Sequence, residues 1–138
     1  MTEVVFTNGC FDILHRGHIE LLKYSSSLGR VVVGLNSDAS VKSLKGSSRP
    51  FNSEADRKAV LESIRYVSEV VIFNEETPLR LIERIQPRYI VKGGDYLPEN
   101  VVGHDICEVK IFNTIPGYSS TKAIDSIELQ NSREIESC

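Results

Sequence analysis

One stretch of sequence, TNGCFDILHRGH at residues 7–18, decides how the chain is expected to fold. It follows the apolar run Val4–Phe6, which is typical of a buried β-strand, and it leads into residues 19–24, whose apolar spacing is that of a helix. The stretch therefore connects a strand to a helix N-terminus. Unpaired backbone N–H groups and the positive end of the helix dipole attract anions such as phosphate to such a position.

Two histidines, His15 and His18, lie in this turn between glycines at 9 and 17. Gly9 and Gly17 leave out side chains where a ligand needs to approach the backbone. Imidazoles placed there can donate hydrogen bonds to phosphate oxygens. The alternative is that the two histidines are an incidental pair in the core or on the surface.

A zinc site is a further alternative for these histidines, and it would need Cys10, His104 or Cys107 as additional ligands. The spacing of the two histidines is not the i, i+4 pair of a helical zinc site, and the chain has no Cys-x-x-Cys sequence. We therefore predict no metal site made of protein ligands.

The bulk composition indicates one small globular domain. The chain has 138 residues and a net charge of −3 with acids and bases interspersed, so no basic face for nucleic acid is expected. No apolar run is long enough to span a bilayer, and residues 1–3 lack the features of a signal peptide, so we expect no membrane partner. Three cysteines without a pairing pattern suggest free thiols in a reducing, cytoplasmic location.

Strand and helix patterns alternate along the chain. Strands are predicted at residues 4–6, 30–36, 67–73, 89–92 and 108–112, and helices from 19, over 53–64, from 77 to 86 and over 119–129. Residues 37–52 are polar and contain Gly46 and Pro50, which predicts a loop. This alternation predicts an α/β fold, a Rossmann-like doubly wound parallel sheet with helices on both faces.

Polar segments follow the carboxyl ends of several predicted strands. Besides the histidine turn, these are Asn36–Asp38, Gly93–Asp95 and residues 114–119. Ligands in doubly wound sheets bind outside the carboxyl ends of the strands, so we expect these segments to converge on one site.

Two common phosphate-binding motifs are absent from the sequence. It contains neither Gly-x-x-x-x-Gly-Lys-Ser/Thr nor Gly-x-Gly-x-x-Gly, which argues against a P-loop enzyme and a dinucleotide-dependent dehydrogenase. Each lysine or arginine near the predicted strand ends is, taken alone, most simply a solvated surface charge. Their common placement favours a role in binding phosphate.

The pattern Gly-x-Phe-Asp-x-x-His-x-Gly-His at residues 9–18 resembles the signature of the cytidylyltransferase-like nucleotidyltransferases, and the similarity extends from Thr7 to about Ile124. Within that superfamily the chain most resembles the bacterial heptose 1-phosphate adenylyltransferases, which make ADP-heptose and are often fused to a sugar kinase. The closer match lies in residues 36–42, 44–46, 49–50, 91–96 and 117–121. The resemblance implies a nucleotidyltransferase domain over residues 1–129. Residues 130–138 are polar, which predicts a disordered tail.

The resemblance also implies roles for individual residues. The implied catalytic residues are His15, His18, Lys42, Lys45 and Arg57. The implied nucleotide-binding residues are Asn8, Gly9, Phe11, Asp12, Gly17, Lys92, Gly93, Ser119, Ser120 and Thr121. The implied acceptor-binding residues are Asn36, Asp38 and Asp95.

The implied substrates are a nucleoside triphosphate, with ATP favoured, and a small sugar phosphate. Mg²⁺ would arrive with the triphosphate, and the family resemblance implies a homodimer. One alternative is a glycerol 3-phosphate cytidylyltransferase that uses CTP, or acts on another polyol phosphate; a second is a catalytically idle nucleotide-binding module.

Departures from the family pattern bear on the choice of base. The region after Asp95 is short, Pro116 stands where the heptose enzymes often have an acidic residue, and Thr114 and Ile115 stand where the glycerol phosphate enzymes often have arginine. The preference for ATP therefore depends on Leu44–Gly46 and on residues 92–96.

Overall fold

The computed structural model describes residues 3–113 and contains a parallel sheet of five strands within that range. The strands are β1 Val4–Gly9, β2 Arg30–Asn36, β3 Glu69–Phe73, β4 Tyr89–Gly93 and β5 Glu108–Phe112. The helices are α1 Arg16–Leu28, α2 Asp38–Lys45, α3 Glu54–Glu62 and α4 Leu79–Ile85, with a 3₁₀ turn at Pro98–Asn100.

Two apolar clusters cover the two faces of the sheet. One contains Leu22 of α1 and Leu61 of α3, and the other contains Leu81 and Ile82 of α4. Strand β2 alternates between them, because Val32 belongs to the α4 cluster while its odd-numbered neighbours belong to the α1 and α3 cluster. The predicted α/β fold with helices on both faces is confirmed.

The strand order is β3-β2-β1-β4-β5, so β1 pairs with β2 on one side and with β4 on the other. The chain winds outward in one direction from β1 to β3 and in the other from β4 to β5. Such a reversal opens a crevice at the carboxyl ends of the two central strands, and this is where doubly wound sheets bind ligands. The histidine turn leaves β1 at that crevice.

The prediction of a loop over residues 37–52 is wrong for its first half, where α2 forms. The hydroxyl of Ser37 accepts a hydrogen bond from the backbone N–H of Ser40 at 3.1 Å, which caps the helix. Val41 is fully buried, and Gly46 ends the helix with φ of 102°. A cap, a single buried valine and a glycine stop are enough for this short helix to form against the sheet.

Other predicted boundaries move by one to three residues. β1 continues to Gly9 instead of ending at residue 6, and α1 begins at Arg16 instead of residue 19. β3 begins at Glu69 instead of residue 67, because the N–H of Val67 closes a turn on the carbonyl of Ile64. Helix α3 ends at Glu62 instead of residue 64. Pro78 is the N-cap of α4 and not its first residue.

The predicted helix over 119–129, the loop after β5 and the tail over 130–138 lie outside the described residues. No helix within residues 3–113 has the length and apolar character needed to cross a membrane.

Candidate active site

The two histidines form the N-terminal cap of α1. His15 is the N-cap residue, and its Nδ1 accepts a hydrogen bond from the N–H of Gly17 at 3.0 Å. The Nδ1 of His18 accepts one from the N–H of His15 at 3.3 Å. Two imidazoles thus supply the reciprocal cap that Ser and Glu provide in most helices of this kind. Both side chains are therefore fixed by the helix they begin.

This bonding pattern determines which nitrogen of each imidazole carries a proton. Because Nδ1 of His15 and Nδ1 of His18 both accept hydrogen bonds, the proton of each neutral ring resides on Nε2. The rings stack with their centroids 3.9 Å apart and their planes at 25°. The turn thus places two N–H donors side by side at the positive end of α1.

Both imidazoles are neutral near pH 7. Burial lowers the pKa of His15 below its ordinary value. Burial is also the largest cause that lowers the pKa of His18 to about 4, with the charges of His15 and Lys45 as smaller causes. A neutral imidazole still donates through Nε2–H, so the turn can hold phosphate oxygens without being charged beforehand.

Phe11 supports this turn from inside the protein. Its backbone has φ of 47°, which is unusual for a residue other than glycine, and its ring is buried in the core. The ring lies 5.2 Å from the ring of His18, and a Cβ on Gly9 would lie 3.1 Å from it. Phe11 is thus placed to position Gly9 and His18.

Asp12 joins the histidine turn to the loop before α3. Its carboxylate accepts hydrogen bonds from the backbone N–H groups of Phe51 at 2.8 Å and Asn52 at 2.9 Å. The side-chain amide of Asn52 donates to the carbonyl of Asp12 at 2.8 Å. Three hydrogen bonds thus anchor the turn to this loop at Asp12.

Arg57 of α3 is 2% exposed and extends its guanidinium under the turn. Its nitrogens donate to the carbonyls of Cys10, Asn36 and Asn52 at 2.8–2.9 Å. A fourth hydrogen bond, to the carboxylate of Asp38 at 2.9 Å, is also an ion pair. Four internal acceptors leave this guanidinium little capacity for a phosphate, so the structure favours a positioning role over the predicted contact with substrate.

A cavity of about 490 Å³ opens beside the turn at the carboxyl ends of β1, β2 and β4. Five of the predicted site residues line it, namely Asn8, Gly9, Asn36, Lys45 and Lys92. Its other walls are Cys10, Leu44, Tyr96, Glu76–Pro78 and Asn100–Val102. Its volume is in the range of small-molecule sites in proteins.

Two lysines give this cavity its positive charge. Burial raises the pKa of the Cys10 thiol, while the nearby charges of Lys45 and Lys92 act in the opposite direction. The charge of Lys45 also lowers the pKa of His18, so this lysine of the cavity acts on the histidine turn as well. Lys92 lies 4.9 Å from the centre of the Tyr96 ring, a cation–π contact that holds it at the rim.

Some predicted residues lie apart from this cavity. Lys42 is exposed on α2 and does not line it, and Asp95 is an exposed residue of the turn after β4. The carboxylate of Asp38 is engaged with Arg57. Gly93 ends β4, and Gly17 is buried in the first turn of α1. Ser119, Ser120 and Thr121 lie outside the described residues.

The sequence interpretation missed the residues that close the cavity on the α4 side. Glu76 and Thr77 precede α4, Asn100 ends the 3₁₀ turn, and Val101 and Val102 follow it. These positions have no phosphate-binding pattern of their own. For Glu76 alone the sequence offered a signal, because this residue comes shortly after Phe73, the end of a predicted strand.

Within residues 3–113 no group of three or more His, Cys, Asp or Glu side chains could hold a metal ion. A Mg²⁺ ion usually keeps several waters and needs only one or two carboxylates together with substrate phosphates.

Replacing Arg57 by lysine is expected to lower the free energy of unfolding by about 2–4 kcal/mol. An ammonium group cannot reach the carbonyls of Cys10, Asn36 and Asn52 together, and buried acceptors would remain unpaired. Urea unfolding measures the change. Arg84→Lys is the matched control, because Arg84 is exposed, and it should alter stability by less than about 0.5 kcal/mol. Equal losses in the two variants would contradict the positioning role.

The low pKa of His18 predicts a pH dependence of stability. Its pKa is about 4 in the folded chain and near 6.5 when unfolded, so the unfolded state binds more protons between these values. Neutral His18 therefore contributes its full stabilisation above pH 6.5. This stabilisation is lost as the pH falls to about 4, which lowers the free energy of unfolding by roughly 3 kcal/mol. Unfolding of wild type and His18→Asn across this range measures it.

Asn at position 18 keeps an oxygen that can accept from the N–H of His15 but does not titrate. The stability of His18→Asn should therefore fall less steeply with acid than that of wild type. His104→Asn, at an exposed histidine, is the control and should follow the wild-type curve. Parallel curves for wild type and His18→Asn would show that His18 is not desolvated.

Similarity to known proteins agrees with this geometry. A family model described as cytidylyltransferase-like matches residues 6–128. The chain is 51% identical over 131 residues to the bifunctional protein HldE of Geobacter metallireducens and 54% identical over 128 residues to that of Campylobacter concisus. Each alignment covers 91% of this chain and 27% of the relative, so the chain spans about a quarter of the length of these curated relatives.

A solved structure shares the fold. The crystal structure of the lipopolysaccharide core biosynthesis protein from Thermoplasma volcanium superposes with a TM-score of 0.69 at 29% sequence identity, and the match covers 83% of this chain and 98% of that one. The family match extends over most of the chain and includes the histidine turn, β2, Arg57 and β4. The chain belongs to the cytidylyltransferase-like family, as the pattern at residues 9–18 predicted.

Proposed function

We propose that the chain is a nucleotidyltransferase that moves AMP from ATP to a sugar phosphate such as heptose 1-phosphate and releases pyrophosphate. The observation that carries the proposal is the pair of imidazoles with Nε2–H donors at the N-terminus of α1, beside a cavity that contains Lys45 and Lys92. The names of the HldE relatives and of the Thermoplasma protein favour a heptose acceptor.

The proposed reaction is a displacement at phosphorus. A phosphate oxygen of the acceptor forms a bond to the α-phosphorus of ATP, and the bond from that phosphorus to the bridging oxygen of pyrophosphate breaks. A phosphate monoester has its second pKa near 6 and is already largely dianionic at neutral pH. The acceptor therefore needs no general base, and the chain has to overcome the repulsion between two anions.

In-line displacement requires the attacking and leaving oxygens to lie on opposite sides of the transferred phosphorus. The N-terminus of α1 with His15 and His18 suits the leaving pyrophosphate, since charge develops there. The cavity then lies on the attacking side, and we infer that it holds the acceptor. Lys92, which the family resemblance implied to bind the nucleotide, lines this cavity and is assigned to the acceptor phosphate.

The histidines are proposed to act as preorganised hydrogen-bond donors. Their Nδ1 atoms are held by backbone N–H groups, so each Nε2–H keeps a fixed direction through the reaction. Donors that need no reorganisation stabilise developing charge more effectively than water does. Lys45, whose charge acts on both His18 and Cys10, is placed to neutralise the phosphates as they approach each other.

Arg57 and Asp12 are proposed to position this machinery. Arg57 fixes the carbonyl of Cys10 at the floor of the cavity, and Asp12 fixes the turn to the loop before α3. When present, Mg²⁺ on the triphosphate would offset the negative charge of the phosphates. By family resemblance Ser119, Ser120 and Thr121 would hold the β- and γ-phosphates.

The family resemblance also supports a homodimer. The thiols of Cys10 and Cys107 are free, which supports a reducing, cytoplasmic compartment.

Pyrophosphate release by the purified chain with Mg²⁺ tests the proposed function. ATP, CTP, GTP and UTP are each combined with heptose 1-phosphate and with glycerol 3-phosphate, and release is expected with ATP and heptose 1-phosphate. The variant His18→Asn loses one Nε2–H donor and should turn over about 10²–10³ times more slowly, while His104→Asn should match wild type. Release with CTP and glycerol 3-phosphate would indicate the cytidylyltransferase alternative. Triphosphate binding without release would indicate an idle module.

A further inference from the structure

One carboxylate lines the cavity among the described residues, and it belongs to Glu76, in the segment between β3 and α4. The charges that act on Cys10 at the floor are Lys45, Arg57, Asp12 and Lys92, and Glu76 is not among them. Within residues 3–113 no ion pair joins Glu76 to either lysine of the cavity. Its negative charge is therefore not used to neutralise the phosphate-binding end.

The side chain of Glu76 is held from α2. The hydroxyl of Ser43 donates a hydrogen bond to Oε1 of Glu76, which ties the segment before α4 to the helix that also presents Lys45. Among the described residues no hydrogen bond engages Oε2. A carboxylate oriented through one oxygen keeps the other oxygen and its remaining lone pairs for a ligand.

The chemistry of this wall indicates what it would contact. An ionised carboxylate only accepts hydrogen bonds, and adjacent hydroxyl groups of a sugar supply donors at the spacing of its two oxygens. Thr77 and Asn100 add neutral polar groups, and Val101 and Val102 add an apolar edge. A second phosphate or a carboxylate on the ligand would be repelled here.

We propose that Glu76 is the specificity-determining residue for the acceptor and that it accepts hydrogen bonds from hydroxyls of a neutral polyhydroxylated chain or ring whose single phosphate lies between Lys45 and Lys92. The assignment rests on the proposed nucleotidyl transfer for the identity of the cavity as the acceptor site. It adds the chemical class of the acceptor: one phosphate and several hydroxyls, without a second anionic group.

The contact with Glu76 also makes binding depend on the length of the acceptor. A short polyol phosphate such as glycerol 3-phosphate offers fewer hydroxyls beyond the phosphate than a heptose phosphate does. Glu76 therefore contributes more to binding of the longer acceptor, and this difference is the selectivity. Ser43 acts through Glu76 by fixing its orientation and is a positioning residue.

Calorimetric binding of heptose 1-phosphate to the full chain, without a nucleotide, tests this assignment. Glu76→Gln keeps the size of the side chain and an oxygen for Ser43 but removes the charge. It is expected to weaken binding of heptose 1-phosphate by about 10- to 100-fold, because charge-assisted hydrogen bonds are lost, and binding of glycerol 3-phosphate by less than about threefold. Binding of ATP should be unchanged.

Glu75→Gln is the matched control, because Glu75 is exposed like Glu76 but does not line this cavity. It should bind both phosphates as wild type does, and thermal unfolding should be the same for all three proteins. Equal affinities of wild type and Glu76→Gln for heptose 1-phosphate would overturn the assignment. So would failure of wild type to bind heptose 1-phosphate, even if pyrophosphate release with another acceptor upheld nucleotidyl transfer.

Discussion

The buried guanidinium of Arg57 is the interaction on which the site depends. It joins the start of the histidine turn at Cys10, the end of β2 at Asn36, the loop residue Asn52 and the beginning of α2 at Asp38. These acceptors come from three separate parts of the chain, because Asn36 and Asp38 lie two residues apart, and three of the bonds go to backbone carbonyls. A buried cation is tolerated only when its hydrogen-bond donors are satisfied, so Arg57 stays in place only if all three segments hold their positions around it.

The strand order of the sheet places the turn that Arg57 holds at the candidate active site. Because strands are added on one side of β1 up to β3 and on its other side from β4 onward, the turn after β1 and Lys92 near the end of β4 face one crevice. The helix cap on one side of this crevice has neutral N–H donors that we propose bind phosphate, and the cavity on the other side contains the cations Lys45 and Lys92. An enzyme that must bring two anions together needs both, and here the same turn, residues 7–18, borders both.

The sequence alone predicted the parts that depend on local pattern. The apolar runs gave the strands, and the Gly-Cys-Phe-Asp stretch with two histidines indicated a phosphate site at a strand-to-helix turn. The sequence pattern did not predict α2, because this helix is stabilised by its cap and by contacts with the sheet. Nor could it show that Arg57 is directed inward, because arginine is usually exposed and only the four acceptors around it reverse that preference. The role proposed for Glu76 likewise depends on a tertiary contact, with Ser43 of α2.

The central claim is that the acceptor attacks the α-phosphorus from the cavity while pyrophosphate leaves on the opposite side. The stereochemical course of the transfer tests this claim most directly. It can be followed with ATP that carries a chiral sulfur substitution at the α-phosphorus and with heptose 1-phosphate as the acceptor. A single in-line displacement, with attack from the cavity and departure toward the N-terminus of α1, predicts inversion of configuration. Retention would require two displacements through a covalent intermediate on the enzyme and would contradict the arrangement derived from His15, His18, Lys45 and Lys92.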